Sequence, residues 1–85
     1  MENGYIMEEQ VIEVLADICD LTPDNFLLET DLFEEGFLDS FAVLRLVVGL
    51  SEKFNIDIDI GDVKREDLAT VASITRQIKK RTGPV

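Results

Sequence analysis

The hydrophobic residues near the N-terminus repeat with the period of an amphipathic helix. The apolar positions of this repeat are Met7, Val11, Val14, Leu15 and Ile18. Acidic residues lie between them, at Glu8, Glu9, Glu13 and Asp17. The pattern therefore predicts a first helix with one buried face and one acidic face in contact with water.

Residues 20–39 lose this period and contain residues that form turns or stop helices. These residues are Thr22, Pro23, Asp24, Asn25 and Gly36. The same segment holds more apolar side chains than a freely solvated linker would carry, namely Phe26, Leu27, Leu28, Leu32, Phe33, Phe37 and Leu38. We expect a long structured loop, part of which packs against the helices.

A second helical signal runs from Ser40 to Phe54, and either Asp39 or Ser40 can cap its N-terminus. The positions that share the core-facing side of this helix are Val43, Leu46, Val47, Leu50 and Phe54. The opposite face is unusually apolar for an outward face. It collects Phe41, Arg45, Val48 and Glu52, with Leu44 at its edge.

The segment after this helix alternates Ile56, Ile58 and Ile60 with aspartates, which is the period of a strand. Because a lone strand would have no partner, we expect an extended connector and then a short helical turn near residues 62–65. A last helix follows, with Thr70 as its N-cap. Its buried face is Val71, Ile74, Thr75 and Ile78, and its C-terminal half is crowded with the bases Arg76, Lys79, Lys80 and Arg81.

These elements predict one domain over residues 1–85 of the all-α class. It is a bundle of three main helices plus a short third helix. Gly83 and Pro84 favour an end to regular structure, so residues 82–85 are expected to form a frayed tail. A domain of 85 residues is too small for a deep substrate pocket.

The charge of the chain indicates which partners are unsuitable. The net charge is −10, and residues 1–39 contain twelve acids and no base, whereas residues 40–85 contain six acids and eight bases. Nucleic acid is a poor partner, because a phosphate backbone is bound by clustered lysine and arginine. We find no apolar run long enough to span a membrane and no signal peptide, and therefore expect a cytoplasmic protein. We also expect a monomer.

The candidate chemistry lies in residues 31–41, DLFEEGFLDSF. Gly36 can supply a turn, and Phe37 and Leu38 can anchor the loop in the core, so that Ser40 emerges where the second helix begins. Backbone N–H groups at a helix N-terminus would favour a phosphodiester on that serine. The chain contains no histidine, so Ser40 lacks the usual base that would make it a catalytic nucleophile and must be acted upon by another protein. The alternative is that Ser40 is only a helix cap.

Three segments carry a resemblance to a known family: GFLDSF at residues 36–41, the apolar spacing of residues 44–54, and DLATVxxI at residues 67–74. The chain resembles the phosphopantetheine-dependent carrier proteins, which include acyl, peptidyl and D-alanyl carriers. The segment around Ser40 is most similar to the D-alanyl carrier subgroup, since many fatty-acid carriers have leucine where this chain has Phe41. The resemblance implies an acyl-carrier-like four-helix bundle that is not an enzyme.

In such a protein, a phosphopantetheinyl transferase would use coenzyme A to attach phosphopantetheine covalently to Ser40. Asp39 would support that attachment by helping the transferase and its metal ion. The protein would then carry an acyl thioester from a loading ligase to acyl-using enzymes. Two alternatives stay open, a D-alanyl or other aminoacyl carrier and an unmodified helical adaptor that binds a partner helix.

A carrier protein must also dock on its partner enzymes. The residues that we expect on this partner surface are Phe41, Arg45, Val48, Ile58, Ile60 and Val63. Ala42 and Arg45 occupy positions where the family often has acids, so docking is expected to be more hydrophobic than in fatty-acid carriers. The alternative is that the long loop covers Phe41, Leu44 and Val48 and buries them as ordinary core.

Two further features could carry chemistry. The acids Asp57, Asp59, Asp62, Glu66 and Asp67 could bind a divalent cation, but they lack the spacing of an EF-hand and are expected to be a solvated surface without metal. Cys19 is the single cysteine, and we expect it to be a small buried hydrophobic residue with no reactive role.

Overall fold

The fold is a bundle of three α-helices, described here from a computed structural model that covers residues 6–82. Helix α1 runs over Ile6–Cys19, helix α2 over Ser40–Phe54 and helix α3 over Val71–Thr82. Three short 3-10 turns, Pro23–Asn25, Ile60–Asp62 and Arg65–Leu68, lie between them. Residues 6–82 contain no strand. The all-α class and the three main helices are therefore confirmed.

The core forms where the apolar faces of the three helices meet. The buried hydrophobic residues are Val11, Val14, Leu15 and Ala16 from α1, Leu46, Val47 and Leu50 from α2, and Val71, Ile74 and Ile78 from α3. Val43 and Phe54 of the predicted core face are half-buried at its margin. The helical period therefore identified the inward face of each helix correctly.

Helices α1 and α2 approach each other closely at Gly49. A side-chain carbon at this position would lie 2.9 Å from Val14 Cγ1, so the absence of a side chain there permits the contact. One turn farther along α2, Lys53 Nζ lies 2.8 Å from Glu13 Oε1 of α1. Both contacts hold α2 against α1 and leave its opposite face outward.

The segment between α1 and α2 contributes three side chains to the core, namely Phe26, Leu32 and Leu38. Its backbone is tied to the region before α3, because the Leu32 N–H donates to the Ala69 carbonyl at 2.7 Å and the Ala72 N–H donates to the Leu28 carbonyl at 3.2 Å. The prediction that part of this segment packs against the helices is confirmed.

The predicted helical turn near residues 62–65 was wrong in position. Val63 and Lys64 are extended, and a separate 3-10 turn lies on each side of them. The reason is that two carboxylates start two turns: Asp59 Oδ1 accepts from the Gly61 N–H, and Asp67 Oδ2 accepts from the Lys64 N–H, each at 2.9 Å. Residues 56–59 form neither helix nor strand, and Asp59 at their end is extended, in agreement with the predicted connector.

Thr70 caps α3 as predicted, because its Oγ1 accepts from the Ser73 N–H at 3.0 Å. Thr75 is buried on this helix, and its hydroxyl donates to the Val71 carbonyl at 2.9 Å. Helix α3 ends at Thr82, and residues 83–85 of the predicted frayed tail lie outside the described residues. Within residues 6–82, the structure has no helix of the length and apolar character that a membrane span requires.

Candidate functional site

Asp39 determines where helix α2 begins. Its backbone is extended, its Oδ1 accepts from the Ala42 N–H at 2.8 Å, and its carbonyl oxygen accepts from the Val43 N–H at 2.9 Å. These are the bonds of an N-cap residue. Of the two caps that the sequence allowed, the structure uses Asp39.

Ser40 is consequently the first residue of α2 and is exposed to solvent. Among residues 6–82, its hydroxyl has no hydrogen-bond partner, because the capping bond is made by Asp39. The interpretation of Ser40 as only a helix cap is therefore wrong. The structure places a free hydroxyl at a helix N-terminus, where the first backbone N–H groups also lack helical acceptors.

The loop before the site is anchored by hydrogen bonds to one carbonyl. The N–H groups of Phe37 and Leu38 both donate to the Leu32 carbonyl, at 2.9 and 3.0 Å. Gly36 has φ of 81°, a conformation that glycine adopts at little cost, and it turns the chain toward these two residues. The Phe37 ring packs on Phe26 with 5.1 Å between the centroids. As predicted, Gly36 forms a turn and the next two residues anchor the loop.

Cys19 supports the same loop rather than forming part of the deep core. It is half-buried, and its thiol donates to the Phe37 carbonyl with 3.2 Å between Sγ and oxygen. Burial raises the pKa of the Cys19 thiol, an effect that the charge of Arg45 opposes and that of Asp39 reinforces. The raised pKa leaves less of the nucleophilic thiolate at neutral pH, as expected for a structural cysteine.

A groove of about 750 Å³ opens beside Ser40, between α2 and the two 3-10 turns that precede α3. Its lining is mainly apolar and includes Leu38, Val43, Leu44, Ile60, Val63 and Leu68. Charged residues lie at three positions of the lining, Asp39, Lys64 and Arg65. The free Ser40 hydroxyl and an apolar surface therefore lie in the same groove.

The outward face of α2 is exposed, so the proposal that the loop covers it was wrong. Phe41 is 70% exposed, Val48 56% and Leu44 52%. The physical reason is that the loop inserts its own apolar residues, Leu32 and Leu38 among them, into the core beneath it. This face is therefore free to contact another protein.

Five of the six predicted partner residues fall into two groups. Phe41, Arg45 and Val48 are exposed on α2, whereas Ile60 and Val63 line the groove across from that helix. Ile58 is half-buried against the core and does not line the groove.

Sequence reasoning missed the contribution of Leu44, which lines the groove and also a shallow depression toward α1. The signal was present, because residues four apart share a helix face and Leu44 is four residues after Ser40.

The acids after α2 do not converge. Asp59 and Asp67 each accept a backbone hydrogen bond that starts a turn. Within the part of the chain that the structure describes, no three histidine, cysteine, aspartate or glutamate side chains are arranged to hold a metal ion.

Comparison with known proteins identifies the family. A family profile described as "Phosphopantetheine attachment site" matches residues 9–78 of the chain. The chain belongs to this family. The D-alanyl carrier proteins of Bacillus cereus (strain B4264) and Bacillus anthracis (strain CDC 684 / NRRL 3495) are each 37% identical to it over 75 residues, which are 86% of this chain and 92% of the relative. The protein is thus a carrier protein that works with a covalently attached phosphopantetheine group.

The geometry at Ser40 fits such a group. Ester formation needs an accessible hydroxyl, and the Ser40 hydroxyl is exposed and unbonded among the described residues. The neighbouring groove offers Leu44, Ile60 and Val63 as apolar contacts, and Lys64 and Arg65 as positive charges for a phosphate. When bound, phosphopantetheine supplies a thiol that holds cargo as a thioester.

Proposed function

We propose that Ser40 is the attachment residue, and that the protein carries an acyl or aminoacyl thioester between a loading ligase and the enzymes that use it. The observation that carries this proposal is the hydrogen bond from the Ala42 N–H to Asp39. Because Asp39 makes the cap, the Ser40 hydroxyl is left exposed and unbonded. The family match argues against the alternative of an unmodified adaptor.

The other serines of the chain are less suited to attachment. Ser73 is half-buried, and its hydroxyl oxygen accepts from Thr70 Oγ1 at 3.0 Å and from the Arg76 guanidinium at 3.2 Å. Ser51 lies within the last turns of α2, where it is half-buried, and it lines none of the groove beside Ser40. Accessibility therefore favours Ser40.

We propose two roles for Asp39. It caps α2, and its carboxylate supports attachment by contacting the phosphopantetheinyl transferase or that enzyme's metal ion. Carboxylate oxygen is a preferred ligand of hard divalent cations. The base that accepts the Ser40 proton must come from the transferase, because this chain contains no histidine.

The relatives favour an aminoacyl cargo. The proteins compared above are named D-alanyl carrier proteins and align over most of their length. We therefore propose D-alanine as the first cargo to test and a D-alanine-activating ligase as the first loading enzyme. A cytoplasmic location and a monomeric state stay predictions.

The proposed docking face consists of Phe41, Arg45, Val48, Ile58, Ile60 and Val63. Phe41 and Val48 expose most of their side chains, and Ile60 is 42% exposed. An exposed aromatic residue next to the attachment serine suits the role of an interface anchor. Helix α2 carries a single acid, Glu52, so we propose that the loading ligase docks on this helix mainly through apolar contacts.

The first prediction tests the attachment residue. Co-expression with a broad-specificity phosphopantetheinyl transferase should increase the intact mass by one phosphopantetheine. The increase should be absent in Ser40→Ala and present in the matched control Ser51→Ala, which alters another serine of the same helix. An unchanged mass in the wild-type protein, or a persistent increase in Ser40→Ala, would overturn the assignment.

The second prediction separates the two roles of Asp39. Asn is as good an N-cap as Asp, so Asp39→Asn should keep the wild-type stability within a few tenths of a kcal/mol, whereas Asp39→Ala should lose about 1 kcal/mol in urea unfolding. Both variants should be modified about tenfold more slowly or worse, since each lacks a charged contact worth about 1.5–3 kcal/mol. If Asp39→Asn were modified at the wild-type rate, Asp39 would have no role beyond capping the helix.

The third prediction concerns docking. Phe41→Ala should raise the KM of the loading ligase for the holo protein about tenfold, which corresponds to an anchor worth about 1.4 kcal/mol. Leu27→Ala is the control, because Leu27 is also 70% exposed but lies in the loop after α1. Loading should depend weakly on salt. Steep salt dependence together with an unchanged KM for Phe41→Ala would contradict an apolar docking face.

A further inference from the structure

Two cations share the groove with the proposed attachment serine. Lys64 and Arg65 both line the cavity that Ser40, Leu44 and Ile60 also line. Lys64 lies between the two 3-10 turns, and Arg65 is the first residue of the second turn. The groove thus combines an attachment hydroxyl, apolar walls, two positive charges and the Asp39 carboxylate, which accepts from the Ala42 N–H.

These cations lie in a protein with a large excess of acid. The chain has 18 acidic and 8 basic residues, yet neither Lys64 nor Arg65 has a carboxylate partner among residues 6–82. By contrast, Lys53 pairs with Glu13 at 2.8 Å. Their charges are therefore available to an anion in the groove.

Contacts within the chain position the Arg65 side chain and the Lys64 backbone, and neither contact is made with a carboxylate by the cationic group. The Arg65 guanidinium carbon lies 4.4 Å from the centroid of the Phe33 ring, a cation–π contact. The Lys64 backbone N–H donates to Asp67 Oδ2 at 2.9 Å, which fixes the start of the 3-10 turn. The contact with Phe33 reduces the side-chain entropy that is lost when Arg65 binds an anion.

We infer that Lys64 and Arg65 form a phosphate seat that holds the phosphodiester of the prosthetic group and directs the rest of that group into the apolar groove. This inference rests on the proposed attachment at Ser40. Arginine and lysine are the usual protein partners of phosphate, and a phosphodiester carries one negative charge at neutral pH. Ile60 and Val63 then provide apolar contacts beyond the seat.

The seat favours a resting state in which the prosthetic group lies against its own carrier. A partner enzyme must replace the contacts of Lys64 and Arg65 before it can use the cargo. A different role for the two cations would be contact with acids of a partner enzyme. That role would leave the isolated holo protein unaffected, so the two roles can be distinguished without any partner.

The test compares unfolding temperatures of the apo and holo forms, after intact mass has shown that the holo form carries phosphopantetheine. The variant is the double substitution Lys64→Gln and Arg65→Gln. The matched control is Arg76→Gln with Lys80→Gln, which removes two exposed cations of α3. The unfolding temperatures of the holo and apo forms are subtracted within each variant. This subtraction removes the effect of losing the contact between Arg65 and Phe33, because both forms of the variant lack it.

At about 0.01 M ionic strength, we expect the wild-type and control holo forms to unfold about 2–5 °C above their apo forms, as suits exposed ion pairs in a domain of this size. The difference should disappear in the Lys64/Arg65 variant. It should shrink at about 1 M ionic strength, where the Debye length is about 3 Å. Amide NMR signals of residues 63–66 should shift between the apo and holo wild-type forms.

Two results would overturn the seat while leaving the proposed function intact. One is a difference in unfolding temperature between holo and apo forms that is as large in the Lys64/Arg65 variant as in the wild-type protein. The other is the absence of any difference in the wild-type protein, with unmoved signals at residues 63–66. A failure of the proposed function is recognised earlier, because the mass of the wild-type protein would then stay unchanged or Ser40→Ala would still be modified.

Discussion

The cap that Asp39 places on helix α2 is the interaction on which the rest of the site depends. Its carboxylate accepts from the Ala42 N–H at 2.8 Å, and this bond sets the first residue of the helix. A cap at Ser40 instead would engage the serine hydroxyl as the acceptor of a backbone N–H. The cap therefore leaves the Ser40 hydroxyl free, while the burial of Leu46 and Leu50 on the opposite face keeps Phe41, Leu44 and Val48 outward.

The cap is itself positioned by the loop. Gly36 turns the chain, and the N–H groups of Phe37 and Leu38 donate to the Leu32 carbonyl just before Asp39 leaves the core. The loop buries Phe26, Leu32 and Leu38 in the core and leaves the apolar face of α2 uncovered. The packing of the loop is thus compatible with an exposed docking face.

Much of this could be predicted from sequence, and the failures have definable reasons. The helical period located the three helices and the buried face of each, since burial alone determines that pattern. The choice between Asp39 and Ser40 as cap could not be made, because both residue types cap helices well. The position of the two 3-10 turns depends on the carboxylates of Asp59 and Asp67, which accept from single backbone N–H groups. The position of Lys64 and Arg65 in the groove beside Ser40 depends on tertiary contacts. Neither leaves a periodic signal.

The central claim is that the capped start of α2 presents Ser40 as the point of attachment. The most direct measurement is fragmentation mass spectrometry of the wild-type protein isolated from the cells that make it, with the fragments read residue by residue across α2. The account predicts that the added phosphopantetheine mass first occurs in fragments that include Ser40. Assignment of that mass to Ser51, to Ser73 or to any other residue would contradict it.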